Sequence, residues 1–466
     1  MTATAGTSRA PSLFTRDSLP FATGAVALVT LGAFENRAVM TVLPTVAEQL
    51  GGLWLFGAAS AGSLISFVVA TAVAGAWADR RGPLQPLYAG LGLFVLAQAA
   101  MGLAPTMPVF VAARVGGGLA EGLIDLSLVV LLARALPEEL RAKVFAAFAA
   151  AWVLPSLLGP SVAGVLAERW GWRSVFLVGI ALMVPAAALL RPAMRRARAD
   201  LPAPTSWGAG ERRTVASAAV VALALGALTA GGSLLTRDGL LPVAGAGLLT
   251  TGLLLLVPAT RAVLPTGSLR GVPGIPAVVA LRSLLAAAFS MVGTFLPLML
   301  TAVHGLRPSL AGISLSVTGL SWAAGSQVHG LNAVQASVPP VARLRIGFAL
   351  IGAGALGPAL LAVGLVPLWA GLALWGVAGV GMGLASPTLS TQLLALTPEA
   401  DQGRNTAAAN LAGSVSQTVA LAAAGTLVAA LAPKLPGWMF AAIIAAGAAM
   451  ALLGTALAHR AREPVS

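Results

Sequence analysis

Six charged residues, Glu35, Arg37, Arg114, Glu121, Asp125 and Arg282, lie inside long and otherwise apolar stretches of the chain. A charge at the centre of a membrane helix costs at least about 2.5 kcal/mol, so each is a candidate for function. Carboxyl groups in such a place can take up and release protons, and a guanidinium can hold their ionised form. Three of the six share one stretch. Arg114, Glu121 and Asp125 are seven and eleven residues apart, which on a helix sets them within about 40° of one another, as one stripe. With its span centred near residue 121, Glu121 lies at mid-depth. Asp125 is then about 6 Å toward one end and Arg114 about 10 Å toward the other. The chemistry this allows is proton exchange at Glu121 and Asp125, with Arg114 stabilising the ionised state and Glu35 sharing the duty or binding substrate. The bland alternative is a permanent buried network that holds helices together. Arg37 follows Glu35 by two residues and points about 200° away from it. Arg282 lies near the end of its stretch, where a long side chain snorkels. Neither arginine is assigned a role.

The elements that carry these residues are membrane spans. Of the 466 residues 58% are hydrophobic and only 9% charged, against about 25% charged in a soluble domain. A chain with so little charge cannot cover a water-facing surface, and lipid must be its solvent. A ruler of about 20 apolar residues per span gives spans near 20–44, 53–78, 84–104, 107–134, 140–167 and 173–192. Two more follow near 213–232 and 239–260. Six lie near 273–302, 309–335, 342–364, 367–396, 404–431 and 437–459. The expectation is fourteen spans, with a basic linker near 193–212. The first apolar run is too long for a signal peptide and reads as the first span.

Most of the 28 Lys and Arg residues fall on the side of the N-terminus, while Arg169, Arg173, Arg237, Arg307 and Lys434 fall opposite. The positive-inside rule places both termini in the cytoplasm. Trp54, Trp77, Trp170, Trp172 and Trp438 sit at span ends, as an aromatic belt requires. The net charge of +13 belongs to these loops, so no nucleic-acid partner is expected. With no Cys and three scattered His, neither a disulfide framework nor a metal cluster is expected, and no cofactor. Glu48, Glu168, Asp238 and His304 are isolated in the loops opposite the N-terminus, which argues against a membrane-embedded enzyme. No loop is long enough for the soluble domain of a sensor.

Four stretches add to this. After the second span the chain reads Gly75-Ala-Trp-Ala-Asp79-Arg80-Arg81-Gly82, a tight turn with an acid at a helix end. The fifth span contains Pro155-Ser-Leu-Leu-Gly159-Pro160-Ser-Val-Ala163-Gly164, where small residues admit a neighbouring helix and proline bends the backbone. The first span holds Glu35 nine residues before Pro44, and the twelfth, Gly379-Val-Gly381-Met-Gly383-Leu-Ala-Ser-Pro387, is also glycine-rich. The first motif is similar to the G-x-x-x-D-R-x-G signature of the major facilitator superfamily, with Pro83 and Leu84 where that family continues with basic residues. The second resembles its G-x-x-x-G-P-x-x-G-G antiporter motif, with Pro155 and Ala163 replacing glycines. The acid and proline of the first span resemble the fourteen-helix drug–proton antiporter family of that superfamily.

The resemblance implies an all-α membrane protein of the major facilitator fold. Two six-helix bundles, 1–192 and 273–466, would flank two inserted helices in 193–272. It implies that the first and fourth spans line the central cavity, so that Glu35 faces Arg114 or Glu121 there. The acids would then open onto an aqueous chamber shared by both bundles. Gly75, Asp79, Arg80 and Gly82 would gate; Pro155, Gly159, Pro160 and Gly164 would form the antiporter helix. The C-terminal half has no intramembrane acid; it offers Trp322, Gln327 and Asn410 as candidate contacts for substrate. The implied function is proton-coupled export of amphipathic, including cationic, small molecules by alternating access. The protein would be a multi-pass monomer of a bacterial inner membrane, with protons, substrate and lipid as its partners. A proton symporter or a lipid or metabolite transporter would use the same fold.

Overall fold

In lipid every backbone N–H and C=O must be paired within its own segment, and the apolar runs accordingly form helices. The computed structural model describes residues 18–135, 147, 148, 151, 153–197 and 208–462. Those residues form helices and turns and contain no strand. The long helices are α1 (Ser18–Gln49), α2 (Phe56–Arg81), α3 (Leu84–Gly102), α4 (Met107–Ala135), α5 (Val153–Trp170), α6 (Arg173–Ala197), α7 (Ala209–Leu234), α8 (Leu241–Val263), α9 (Ile275–Ala302), α10 (Pro308–Gly330), α11 (Pro340–Ala362), α12 (Leu368–Leu396), α13 (Gln402–Leu431) and α14 (Gly437–Leu457). A short helix, Asn332–Ser337, joins α10 to α11. Among the described residues twelve helices are long and apolar enough to cross a membrane. α5 and α10 are the two long helices outside that set; α10 carries several Ser, His329 and Gln327. The beginning of the expected fifth span, before residue 147, and the middle of the expected linker, residues 198–207, lie outside the described residues.

The apolar core has a fork. From the middle of α1 onward, Val39, Val42, Leu43 and Val46 join one continuous cluster with Phe56 of α2, Phe295 of α9, Leu421 and Val428 of α13 and Phe440 of α14. At the other end the cluster splits in two. One part gathers Leu28 and Leu31 of α1 with Leu87, Ile124, Leu128 and Leu190; the other gathers Leu281, Leu285, Leu344, Phe348 and Leu389. The helices before α7 and those after α8 are therefore fused at the end away from the chain termini and parted at the end near them.

Close backbone contacts make the fused end. Gly57 on α2 meets Gly425 on α13 so closely that a Cβ on Gly57 would lie 2.7 Å from the Gly425 Cα. The rings of Phe56 and Phe295 stand 5.5 Å apart there. α5 and α10 pack along their length: Gly164 faces the Ser309 backbone, and the Ser316 hydroxyl donates to the Leu157 carbonyl at 2.7 Å. At its mouth the Ser309 N–H donates to the Glu168 carboxylate at 2.9 Å. The α7–α8 hairpin lies outside, with Val221, Ala224 and Leu225 of α7 packed on Val415 of α13 and Ile65 of α2. Arg237 at its tip sits over the Trp54 ring, 4.8 Å from the centroid.

One tryptophan departs from the expected belt. Trp170 and Trp438 are exposed, but Trp172 is buried and packs edge-on against Phe110 and Phe176. Its indole N–H donates to Gln49 at 3.0 Å. It anchors the core and does not face lipid.

Candidate functional site

Arg114 makes three hydrogen bonds in the interior, each to a different residue. It is 1% exposed, and its Nη1 donates to Glu35 Oε1 at 2.9 Å. Its Nη2 donates to Ser63 Oγ at 2.8 Å and its Nε to the Ala59 carbonyl at 3.4 Å. The guanidinium thus ties α4 to α1 and α2. Gly118 and Gly122 of α4 bring that helix against the α2 backbone at Ser63 and Phe67. These two glycines close-pack α4 on α2, while Gly117 lies on the hollow described next.

Glu121 and Asp125 follow along α4 and line one small hollow together with Glu35, Gly32, Phe94 and Met183. It holds about 20 Å³, room for one water. A Cβ on Gly32 would lie 4.0 Å from Glu121 Oε1, so no side chain separates Glu121 from α1. Asp125, a turn further on, is exposed. Among the described residues the ion pairs are Arg114–Glu35 and Arg404–Asp401. Glu35 holds the guanidinium while Glu121 and Asp125 line the same hollow without an ion-pair partner among the described residues, so the net charge of the cluster is set by the protons it holds.

This placement corrects the expected one. The hollow lies among α1, α3, α4 and α6, within the first six helices, and is not the space between the halves. The shared cavity is elsewhere. It measures about 550 Å³ and is lined by α1, α2, α9, α10, α12 and α13. The helical period explains the separation: Glu35 and Arg37 are two residues apart, and α1 presents the first to the hollow and the second to the cavity.

Arg37 and Arg282, the two arginines without an assigned role, are the charged residues of that cavity among the described residues. Arg282 stands two turns inside α9 and does not snorkel outward. It reaches Ser390 Oγ of α12 at 3.4 Å and Asn410 Oδ1 of α13 at 3.3 Å. The signal that identifies both is an intramembrane arginine with no acid at helical spacing, which must face water or a ligand. Trp322 and Asn410 line the cavity as well. Gln327 does not: it lies beyond the cavity on α10 and is exposed. Phe289 stacks on Trp375 with 5.3 Å between centroids and meets Trp322 edge-on at 5.6 Å. Of this aromatic wall the sequence marks only Trp322, because single aromatics such as Phe289 and Trp375 in apolar spans carry no periodic signal.

The two motifs sit at opposite ends. Asp79 is exposed and Arg80 buried at the end of α2, and Gly82, at φ 76°, makes the turn into α3. An L side chain at Gly82 would be strained. Pro155, Pro160 and Gly164 are buried on α5, with Pro160 against Gly312 of α10. Gly159 admits α1 beside Arg37, the Arg37 Cβ lying 3.5 Å from the position of an added Cβ. The second motif is therefore the face along which the two halves meet.

A family model described as Major Facilitator Superfamily matches residues 25–420. A probable multidrug-efflux transporter of Mycobacterium tuberculosis is 27% identical over 413 residues, covering 86% of this chain and 85% of its own. A methylenomycin A resistance protein of Streptomyces coelicolor is 28% identical over 399 residues, 83% of this chain and 78% of that protein. Among solved structures, a peptide transporter POT in complex with sulfate matches with a TM-score of 0.69 at 18% identity, over 97% of this chain and 96% of its own. A D-xylose-proton symporter matches with a TM-score of 0.61 at 16% identity, over 93% and 97% of the two chains. These two likenesses establish the fold alone.

Proposed function

Because the chain belongs to the major facilitator superfamily, we propose that it is a proton-coupled exporter of amphipathic small molecules that works by alternating access. The observation that carries this reading is the forked core: the halves are fused at one end, parted at the other, and leave a 550 Å³ cavity between them. Two bundles hinged in this way can close the open end and part the fused one. The relatives named for multidrug efflux and methylenomycin A resistance support export of a small molecule.

In this reading the bundles are residues 1–192 and 273–466, with residues 193–272 inserted between them. All fourteen long helices cross the membrane, α5 and α10 included, because these two pack on each other, with Ser316 bonded to the Leu157 carbonyl and Ser309 to Glu168. Both termini face the cytoplasm by the charge asymmetry of the loops, so the cavity stands open inward. The protein works as a monomer in a bacterial inner membrane. Protons load at Glu121 and Asp125, with Glu35 as a third acceptor that alternates between a proton and Arg114. α1 links the two events, since it borders both the acid hollow and the cavity.

The test is transport in liposomes under an imposed proton gradient. Glu121→Gln and Asp125→Asn are each expected to cut gradient-driven export at least tenfold, about 1.4 kcal/mol in the barrier, while downhill movement of substrate persists. Full coupling in both variants would remove the acids from the proton path.

A further inference from the structure

The charges that line the cavity are positive. Among the described residues, Arg37 and Arg282 face it, and none of those lining it is Asp or Glu. Neither arginine has an ion-pair partner among the described residues. The Arg37 Nε is buried with no hydrogen-bond partner, and so is the Trp375 indole nitrogen on the cavity wall. Arg282 makes only long contacts to neutral oxygens, 3.4 and 3.3 Å.

Arg114 provides an internal comparison. Where this protein uses an arginine to hold helices together, it gives the guanidinium a carboxylate at 2.9 Å, a hydroxyl at 2.8 Å and a carbonyl. Arg37 and Arg282 receive nothing of the kind. Nor is escape to the membrane surface open to Arg37, which lies about 18 Å from the nearer end of α1. Two uncompensated cations around one cavity repel each other and each carries the cost of an intramembrane charge. A guanidinium recovers that cost best from a bidentate anion such as a carboxylate, sulfonate or phosphate.

We propose that the cavity takes amphipathic acids: one anionic group held between Arg37 and Arg282, and an aromatic or aliphatic body laid on the Phe289–Trp322–Trp375 wall. This rests on the exporter reading and narrows it, replacing the cationic substrates that the acids alone would favour. The acids lie in the other hollow and do not touch this ligand. Depth orders the contacts. Arg282, about 10 Å inside the open end of α9, approaches the anion from that end, and Arg37 approaches it from mid-membrane.

Binding of two probes that share one apolar body tests this, using the full chain in lipid nanodiscs with empty nanodiscs as blank. Anilinonaphthalene sulfonate carries the anion; phenylnaphthylamine has an equivalent body and no charge. Arg37→Gln and Arg282→Gln are each expected to weaken the sulfonate by about tenfold and to leave phenylnaphthylamine within about twofold, which also establishes that the cavity is intact. Arg282→Lys, which keeps the charge but loses the fork, should fall between. Sulfonate affinity unchanged in both Gln variants overturns the proposal, as does tighter binding of the cation ethidium than of the sulfonate by the unaltered protein. The exporter reading fails separately: arginine-dependent sulfonate binding without any proton-driven transport sinks that reading and leaves this one standing.

Discussion

Glu35 and Arg114 show what a buried pair requires in this molecule. The arginine is 1% exposed and the acid 11%, and each satisfies the other across two helices. Removing one partner leaves a charge buried alone. Arg114→Gln is therefore expected to lower stability by about 3 kcal/mol, read as a fall in melting temperature in detergent. The double variant Glu35→Gln, Arg114→Gln should recover a good part of the loss, because no lone charge remains. At this scale the sequence was legible where helical period decided the matter. The stripe of Arg114, Glu121 and Asp125 and the opposed directions of Glu35 and Arg37 both follow from 3.6 residues per turn. Which space each face met was not legible. A period gives the angle between two residues, and only the neighbours of α1 decide that Glu35 faces α4 while Arg37 faces the other half of the molecule.

Between elements, small residues do the joining. The contact of α2 with α13 depends on Gly57 and Gly425 together. Gly425→Val would force the two helices apart, and the fused end should open. Spin labels on cysteines introduced near the starts of α2 and α10 would record a longer distance across that end, in a chain with no native cysteine to interfere. The α5–α10 contact has a titratable latch. Glu168 lies just beyond the expected span 140–167, and hydrogen bonds from Ser309, hydroxyl first, hold its carboxyl below the ordinary carboxylate range. Burial opposes this, and the Ser309 backbone N–H and Arg307 assist. A lowered value means that the folded contact prefers the ionised acid. Its contribution is complete above the ordinary carboxylate range and disappears as pH falls through the lowered value. Acidification into that range should loosen the α5–α10 mouth in the same label assay, and Glu168→Ala should remove the pH response. The glycine–proline motif of α5 pointed to a close helix contact; that its partner was α10 could not be read, since the polar face of α10 looks like a weak span rather than an interface.

For the whole molecule, the number of long helices and the place of the α7–α8 hairpin in their order follow from hydropathy alone, and twelve of the fourteen are long and apolar enough to cross a membrane. How the hairpin docks does not follow from hydropathy, because lipid-facing and protein-facing apolar residues look alike. α7 packs on α2 and α13 together, helices that belong to different halves, while α8 touches α7 and little else. Replacing residues 208–264 by a flexible linker should leave the two sets of six helices folded. It should also lower the melting temperature, since Val415 and Ile65 lose their cover. An unchanged melting temperature would make the hairpin an ornament of the fold. α1 carries the larger consequence. In the proposed mechanism the acid hollow and the cavity each take one side chain from a single rod, α1, separated by two residues. A turn of that rod about its own axis is a cam with two lobes: it cannot advance one without withdrawing the other. Leak, in which protons cross without cargo, would then require the rod itself to unwind between Glu35 and Arg37.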